Sequence, residues 1–372
     1  FIAFIRILKS TNVRWSVSSA GNRGITLRWM RKCPMQGISN SPGLAIVRLS
    51  CHETRTAGST FSPIGARRRQ TPIQKETLRV RFERCPEQSR VSRLGLVGRV
   101  VAMKAILMTG AAGGIGSYLR PELKGKYALR LSDRETISDL GKDESFMPAD
   151  LTDLDAVCAA VDGVDGILHF GGHASEGVWE DILDANIIGM RNVYEAARVC
   201  GVKRVVWASS NHAVGFYRRD RTIDHTVYPK PDSRYGVSKV FGEAMGSLYS
   251  DKYGLEVVNL RIGNVAFEPV DRRRLSIWIS PRDMAQLCGI ALDHPYIRFE
   301  IFYGVSDNLR SWYDNANAEK FGYVPLDRSE DYAEAVLAKE PPAASDDPDE
   351  TYQGGAYVSV EAGGGQPRSE VV

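Results

Sequence analysis

A tyrosine and a lysine four residues apart, Tyr235 and Lys239, have the types and spacing needed for proton transfer. Residues i and i+4 share one helix face, so the two side chains would be neighbours. A phenol has a reference pKa of about 10, and a nearby ammonium group favours its phenolate form. Taken alone, the pair would be a surface Tyr and Lys. Together with the glycine-rich turn described below, it predicts a catalytic base, Tyr235, that Lys239 activates.

A polar run, Ser209 to His212, follows the apolar segment 205–208. A hydroxyl at the end of a buried strand would face the reacting carbon. Ser210 could therefore bond the substrate oxygen and stabilise charge as a proton leaves. Asn211 and His212 are polar enough to bind a hydroxylated substrate. The alternative for these residues is to cap the loop.

A glycine-rich turn, 109–116, joins the apolar run 105–108 to a predicted helix. This strand–turn–helix order predicts a dinucleotide site, in which the helix N-terminus faces the phosphates. Gly110 permits the tight turn, Gly113 lets the backbone approach a pyrophosphate, and Gly116 lets the helix pack close to the sheet. Lys239 could also hold a ribose hydroxyl of the cofactor. The predicted cofactor residues of this turn are Gly110, Gly113, Gly114, Ile115 and Gly116.

Asp133 lies 20 residues after Gly113, at the end of the second predicted strand. A carboxylate in that place is expected to hold the adenosine ribose hydroxyls. It would repel a 2′-phosphate, which favours NAD over NADP, although the adjacent Arg134 could instead receive that phosphate. The alternative for Asp133 is a solvated turn acid.

Further candidate cofactor contacts follow the next predicted strands. Asp150, followed by Leu151, could accept from the adenine amino group or cap a helix that begins near Thr152. Asn186 either bonds backbone near the active site or faces solvent. The glycines after the fourth strand would let the backbone pass close to the cofactor. This part of the predicted site contains Asp150, Leu151, Phe170, Gly171, Gly172 and Asn186.

Strand and helix patterns alternate along the chain from residue 103. Predicted strands cover 104–109, 128–132, 146–148, 166–170, 204–208, 257–262 and 299–303. Predicted helices cover 114–123, 154–161, 179–200, 233–252 and 281–292. The alternation predicts an α/β fold, a Rossmann-type doubly wound parallel sheet with a small C-terminal substrate-binding portion. Cofactor and substrate should lie at the carboxyl ends of the strands.

The chain has two parts of unlike charge. Residues 1–102 contain 19 Lys and Arg and 4 Glu without Asp, a net charge of +15, whereas residues 103–372 contain 29 Lys and Arg and 41 Asp and Glu, a net charge of −12. We expect 1–102 to be a disordered or non-native extension ahead of Met103. A transit peptide and a basic nucleic-acid-binding arm are the alternatives. Residues 103–360 are predicted to form one NAD-binding domain, with substrate-binding elements mainly after 263, and 361–372 a tail.

The composition also bears on partners and compartment. The acidic balance of 103–372 argues against nucleic acid as a partner, and no apolar run is long enough to span a membrane. The six cysteines form no Cys-x-x-Cys pair and the six histidines show no metal-ligand spacing, so we predict a cytoplasmic protein without metal. Two helices, 179–200 and 233–252, are candidates for the face of a homo-oligomer.

These motifs together resemble the extended short-chain dehydrogenase/reductase superfamily, which includes NAD-dependent epimerases and dehydratases. Within it, the chain is most similar to the uronate dehydrogenase family. The segments that carry the resemblance are 168–172, 186–189, 208–212, 235–239, 261–263 and 353–355. The similarity covers most of 103–360 and none of 1–102.

The resemblance implies oxidation of a hexuronic acid, glucuronate or galacturonate, at C1 to an aldarolactone with NAD. It makes Tyr235 the base on the C1 hydroxyl, Lys239 its activator and Ser210 the orienting hydroxyl. Arg273 would clamp the substrate carboxylate, a role that Arg272 or Arg274 could take instead. The implied substrate-binding residues are Ser175, Ser210, Asn211, His212, Asn264, Arg273 and Tyr357, and Ile262 is added to the cofactor-binding set.

The chain departs from the family pattern at three places. The pattern has Gln at Gly114 and Ser at Asn264, and its serine after the Gly-Gly pair falls on Ala174, with Ser175 beside it. The alternative functions are a sugar-nucleotide epimerase or dehydratase on the same fold, and a non-catalytic dinucleotide-binding regulator.

Overall fold

The computed structural model describes residues 103–340 and 347–360, together with the backbone of two strands, β1 (Arg14–Ser19) and β2 (Ile25–Met30). These two strands pair antiparallel, and the sequence analysis predicted neither. The rest of the N-terminal extension and the tail lie outside the described residues, so their predicted character stays a prediction. The description below concerns the part of the chain from residue 103 onward.

Seven parallel strands form the central sheet, as the alternating pattern predicted. They are β3 (Ala105–Thr109), β4 (Ala128–Ser132), β5 (Glu144–Phe146), β6 (Gly166–His169), β7 (Arg204–Ser210), β8 (Glu256–Ile262) and β11 (Phe299–Gly304). Their spatial order is β11-β8-β7-β6-β3-β4-β5. The chain runs outward from β3 to β5 and then crosses to β6, so the order reverses between β3 and β6. A crevice at such a switch point is where doubly wound sheets bind ligands.

Helices cover both faces of the sheet. The α-helices are α1 (Gly114–Leu123), α2 (Leu154–Val161), α3 (Trp179–Ile182), α4 (Gly189–Cys200), α5 (Arg234–Tyr253), α6 (Arg274–Ile277), α7 (Pro281–Asp293), α8 (Ala316–Glu319), α9 (Ala333–Leu337) and α10 (Pro348–Thr351). Short 3₁₀ turns cover Asn211–Val214, Ser329–Tyr332 and Gly355–Val358. Five predicted helices were found close to their predicted bounds, except that one turn of π-helix, Leu183–Ile188, interrupts the predicted helix 179–200.

Alternation along the strands divides the core into two layers. In β3, Ile106 and Met108 pack into the layer that contains α1 and α7, whereas Leu107 packs into the layer of α2 and α4. Successive strand residues point to opposite faces, so both layers are apolar and the strands contain nearly continuous apolar runs. The buried core leaves polar side chains to collect at the carboxyl ends of β3, β4, β6, β7 and β8.

Two very short strands were not predicted. β9 (Asn264–Val265) and β10 (Trp278–Ile279) pair in parallel just beyond the end of β8. The backbone N–H of Ser306 donates to the carbonyl of Trp278, which joins the segment after β11 to this pair. These contacts hold the C-terminal portion of the chain beside the end of β8.

Candidate active site

Ser210 is the last residue of β7 and lies where the strand gives way to the 3₁₀ turn 211–214. Its hydroxyl oxygen accepts from the backbone N–H of His212 at 3.2 Å, so it caps that turn. Its hydroxyl also donates to Asn211 Oδ1 at 3.3 Å. The side chain therefore fulfils the capping alternative while it remains beside Tyr235.

Tyr235 stands in the first turn of α5, which Ser233 caps by accepting from Gly236 N–H at 2.9 Å. The phenol is buried. Burial raises the pKa of Tyr235 and the nearby Tyr357 adds to this, whereas a hydrogen bond with Ser210 lowers it. Hence Ser210 is the neighbour that favours the phenolate.

Lys239 lies one helical turn further along α5, with Nζ 5.1 Å from the centre of the Tyr235 ring. The ammonium donates to the carbonyl of Ala208 at 2.8 Å. Burial lowers the pKa of Lys239 to about 7. The predicted neighbourhood of the two side chains is therefore present. Desolvation is the largest effect on the pKa of both groups, and activation of Tyr235 by Lys239 stays a prediction.

The glycine-rich turn has the form that a dinucleotide needs. Gly110 has φ +67°, and a Cβ there would lie 2.5 Å from the backbone nitrogen of Gly171, so only glycine fits between these two loops. No side chain caps α1 and no acidic residue stands in its first turn. Nothing within 4 Å would meet a Cβ on Gly114, which leaves the approach to the helix N-terminus open. Free N–H groups at a helix start suit phosphate, so these residues fit NAD.

Asp133 follows β4 directly, and its carboxylate reaches back to the glycine-rich turn. Oδ2 accepts from Ala112 N–H at 3.0 Å, and Oδ1 accepts from Arg134 N–H at 2.7 Å and Glu135 N–H at 3.2 Å. The carboxylate thus lies at the edge of the cofactor loop, where a ribose would be held. Arg134 is exposed beside it.

The capping alternative for Asp150 is not what the structure has. Helix α2 begins at Leu154 and its cap is Asp153, which accepts from the N–H groups of Asp155 and Ala156. Asp150 instead accepts from the backbone N–H and the hydroxyl of Thr152 at 2.8 and 2.7 Å, and these bonds lower its pKa. Its contact with adenine stays a prediction.

Asn186 bonds backbone near the active site, which is the first of its two predicted alternatives. It lies buried in the π-helical turn, where Oδ1 accepts from His173 N–H at 2.7 Å and Nδ2 donates to the His173 carbonyl and to Ser238 Oγ, both at 3.0 Å. Both amide N–H groups are thus used within the protein. Asn186 therefore holds the loop after Gly171 and Gly172 against α5, and its contact with the cofactor stays a prediction.

Several buried polar atoms in the substrate half of the site have no hydrogen-bond partner among the described residues. They include Arg273 Nη2, Asn211 Nδ2, Asn264 Oδ1 and the hydroxyl of Tyr313. Native proteins rarely leave such atoms unpaired unless a ligand or water meets them. Arg273 donates through Nε to the Gln353 carbonyl at 3.0 Å, and burial lowers the pKa of its guanidinium. The sequence analysis missed Tyr313, because its sequence context indicates only an aromatic residue in a loop.

The C-terminal segment 347–360 completes this half of the site. Tyr357 stacks on His212 with ring centres 3.8 Å apart, and His212 meets the edge of Tyr235 at 5.8 Å. Arg219 anchors the segment by donating to Glu350 at 2.5 Å and to the Tyr352 carbonyl at 3.1 Å. Tyr357 therefore lies in the site, as the resemblance implied.

The remaining predicted site residues surround this centre. Ser175 is half-buried and donates to the Glu176 carbonyl at 3.3 Å. Glu176, which sequence reasoning missed, is buried and accepts from Tyr235 N–H at 2.9 Å. Ile262 is the last residue of β8, and Leu151, Ile115 and Phe170 are half-buried beside the core layers.

In the described ranges we find no group of three or more His, Cys, Asp or Glu side chains that could hold a metal ion. No helix among the same residues is both long and apolar enough to cross a membrane.

Replacement of Asp133 by Ala is expected to narrow the preference for NAD over NADP, because the carboxylate that repels a 2′-phosphate is lost. The ratio of kcat/KM for NAD to kcat/KM for NADP should fall by an amount equivalent to up to roughly 1–3 kcal/mol, the size of one charge-assisted hydrogen bond. Initial rates with both cofactors give the ratio, and Glu135→Ala is the matched control. Equal use of both cofactors by the unaltered protein would instead show that Arg134 governs the pocket.

A family model of the NAD dependent epimerase/dehydratase family matches residues 106–295. The chain belongs to this family, whose cofactor the glycine-rich turn fits.

Its relatives narrow the class further. Uronate dehydrogenase of Pseudomonas putida is 49% identical over 256 residues, which cover 68% of this chain and 95% of that protein. The solved structure of a glucuronic acid dehydrogenase from Chromohalobacter salexigens is 42% identical with a TM-score of 0.68, covering 70% of this chain and 98% of that one. A variant of uronate dehydrogenase from Agrobacterium tumefaciens, solved in complex with NAD, is 39% identical with the same TM-score and the same coverage.

Proposed function

We propose that this chain oxidises a hexuronic acid at C1 to the aldarolactone with NAD. The observation that carries the substrate class is Arg273, a half-buried residue whose Nη2 is itself buried and has no partner among the described residues. A buried cation with an unpaired donor is costly unless an anion meets it. The C6 carboxylate of a uronate would supply that anion.

Two further unpaired groups support an acid as the ligand. Tyr313 packs with Val214 and Ile277, which follow Asn211 and Arg273 in their own short helices. The Arg273 charge and Asn211 both act to lower the pKa of the Tyr313 phenol, against the larger effect of burial, so the three groups are close together. The donors of this cluster, with the unpaired Arg273 Nη2 among them, suit the acceptor oxygens of a carboxylate or a sugar ring.

At the reacting end, Tyr235 takes the proton of the C1 hydroxyl and Ser210 orients that oxygen. Lys239, beside the phenol, favours the phenolate while it is charged. NAD, held at the glycine-rich turn, would supply the acceptor for the hydride from C1. Tyr357 links the two ends of the site, because its ring centre is 6.2 Å from that of Tyr235 and the Arg273 charge acts on its phenol, so a hexose would lie between base and cation.

The sugar-nucleotide alternative would put a diphosphate where this site has a cluster of neutral and singly charged donors. A non-catalytic regulator would have no need for the Tyr235, Lys239 and Ser210 arrangement.

The direct test is to follow NADH absorbance with the full chain and NAD on addition of glucuronate, galacturonate, glucose or a UDP-sugar. We expect turnover with one or both uronates, and kcat/KM for glucose lower by roughly 10-fold or more, since a neutral hexose leaves Arg273 unpaired. Tyr235→Phe, assayed in parallel, controls for contaminating dehydrogenases. Glucose oxidised as well as glucuronate, or turnover of the UDP-sugar alone, would refute the proposal.

A further inference from the structure

A buried carboxylate, Asp232, lies directly behind His212. Its Oδ2 is 2.7 Å from His212 Nδ1, and its Oδ1 accepts from the Ser233 hydroxyl at 2.8 Å. The Asp232 side chain has no exposed surface, and that of His212 is 9% exposed. None of the roles assigned above uses this carboxylate.

The space around Asp232 fits a carboxylate closely. A Cβ on either Gly215 or Gly354 would overlap Oδ2, so these two backbone segments approach the carboxylate only because they lack side chains. Gly354 N–H donates to the Gly215 carbonyl at 2.9 Å, which closes the pocket between the C-terminal segment and the loop after β7. Asp232 therefore has little freedom to turn away from His212.

The direction of each hydrogen bond follows from the chemistry of the partners. Ser233 Oγ accepts from Gly236 N–H, so its single proton is free to go to Asp232 Oδ1. An ionised carboxylate only accepts, so His212 Nδ1 must carry a proton to bond Oδ2. In a neutral imidazole the other nitrogen, Nε2, is then left as an acceptor. No described residue hydrogen-bonds it.

The ring plane of His212 is fixed as well. Tyr357 stacks on one face at a 27° angle between the planes, and Tyr235 meets the ring at 67°. Nδ1 is held by Asp232, and Tyr357 and Tyr235 pack against the ring. The imidazole can therefore neither rotate nor flip by 180° without losing its hydrogen bond to Asp232.

We propose that Asp232 is a positioning residue that keeps His212 in its Nδ1–H tautomer, so that Nε2 accepts a hydrogen bond from a substrate hydroxyl. The role of Nε2 rests on the proposed function, because it needs a hydroxylated sugar in the site. The tautomer itself depends only on the contacts of Asp232. The site thus selects for a proton donor on the sugar at this position.

Asp232→Asn is the informative substitution, because an amide has the same shape but two different ends. The Ser233 proton still needs an acceptor, so the amide carbonyl should face Ser233 and the amide nitrogen should face His212 Nδ1. That nitrogen donates, so Nδ1 must accept and the imidazole proton moves to Nε2. Where the native protein offers the sugar an acceptor, the variant offers a donor.

The tautomer can be read directly. Long-range ¹H–¹⁵N correlation spectra of protein labelled at histidine, with NAD present, should show His212 protonated at Nδ1 in the native chain and at Nε2 in Asp232→Asn. The kcat/KM for glucuronate should fall roughly 10- to 100-fold, the effect of one hydrogen bond to substrate, with NAD affinity unchanged.

A double-mutant cycle separates positioning from stability. In the His212→Ala background, Asp232→Asn should cost nothing further, since the imidazole through which it acts is absent. An unchanged tautomer in Asp232→Asn, or an equal loss of kcat/KM in the His212→Ala background, would overturn the proposal. An inverted tautomer in a protein that oxidises no uronate would support the positioning role and overturn only the proposed substrate.

Discussion

Tyr235→Phe is expected to lower kcat for uronate oxidation roughly 10²- to 10⁴-fold, the contribution of a general base, while NAD binds as before. The hydroxyl is the only group removed, and Phe keeps the ring that packs against His212 and Tyr357. Single-turnover and steady-state rates give kcat, and quenching of protein fluorescence gives NAD affinity.

The control for this substitution is Tyr249→Phe on the same helix. Its hydroxyl donates to Glu195 at 2.9 Å, and neither residue belongs to the site, so loss of this hydroxyl should leave kcat within about twofold. Near-native turnover in Tyr235→Phe would show that another group takes the C1 proton, and the assignment of the base would be wrong.

Arg273→Ala should lower kcat/KM for glucuronate and galacturonate by about 1.5–3 kcal/mol, roughly 10- to 150-fold, the value of a charge-assisted pair. Oxidation of glucose should change little, because it has no carboxylate for this guanidinium to meet. NAD affinity should also be unchanged, since the guanidinium bonds the Gln353 carbonyl in the C-terminal segment, away from the glycine-rich turn.

Arg272→Ala is the matched control, because its guanidinium donates to the Glu340 carbonyl at 3.4 Å. Arg274→Ala should instead be read as a stability variant, since that buried side chain forms an ion pair with Asp271. If Arg273→Ala leaves uronate kinetics unchanged while a neighbour is crippled, the neighbour binds the carboxylate. If none of the three matters, the uronate assignment itself is wrong.

The sheet and the cofactor loop could be predicted because their signals are local. Apolar runs such as 105–108 and the glycines that follow lie within a few residues of one another. The spacing of apolar residues, with a period of 2 in strands and 3.6 in helices, indicates each element directly. Tyr235 and Lys239 were predictable for the same reason, since one helix turn brings them together.

The substrate half could not be predicted this way, because its contacts join distant parts of the chain. Asp232 precedes a helix and has the sequence context of an ordinary cap; only the fold shows that it bonds His212, 20 residues earlier. Tyr313 becomes a candidate site residue only because the fold brings it close to Asn211 and Arg273. For Tyr235 and Lys239, sequence spacing gives the distance between the two side chains but not their burial, which raises the pKa of the phenol and lowers that of the ammonium.

The Gly354–Gly355 segment has a consequence for how new sugar preferences could arise. Gly355 has φ +62°, and a Cβ there would lie 2.6 Å from Arg273 Cδ, so the segment fixes where the guanidinium stands. Gly354 likewise approaches Asp232, whereas the dinucleotide end lies between β3 and β6. Substitutions in this C-terminal segment would therefore change the sugar end through Arg273 and Asp232 and leave the cofactor end as it is, so that new sugar preferences could arise without loss of NAD binding.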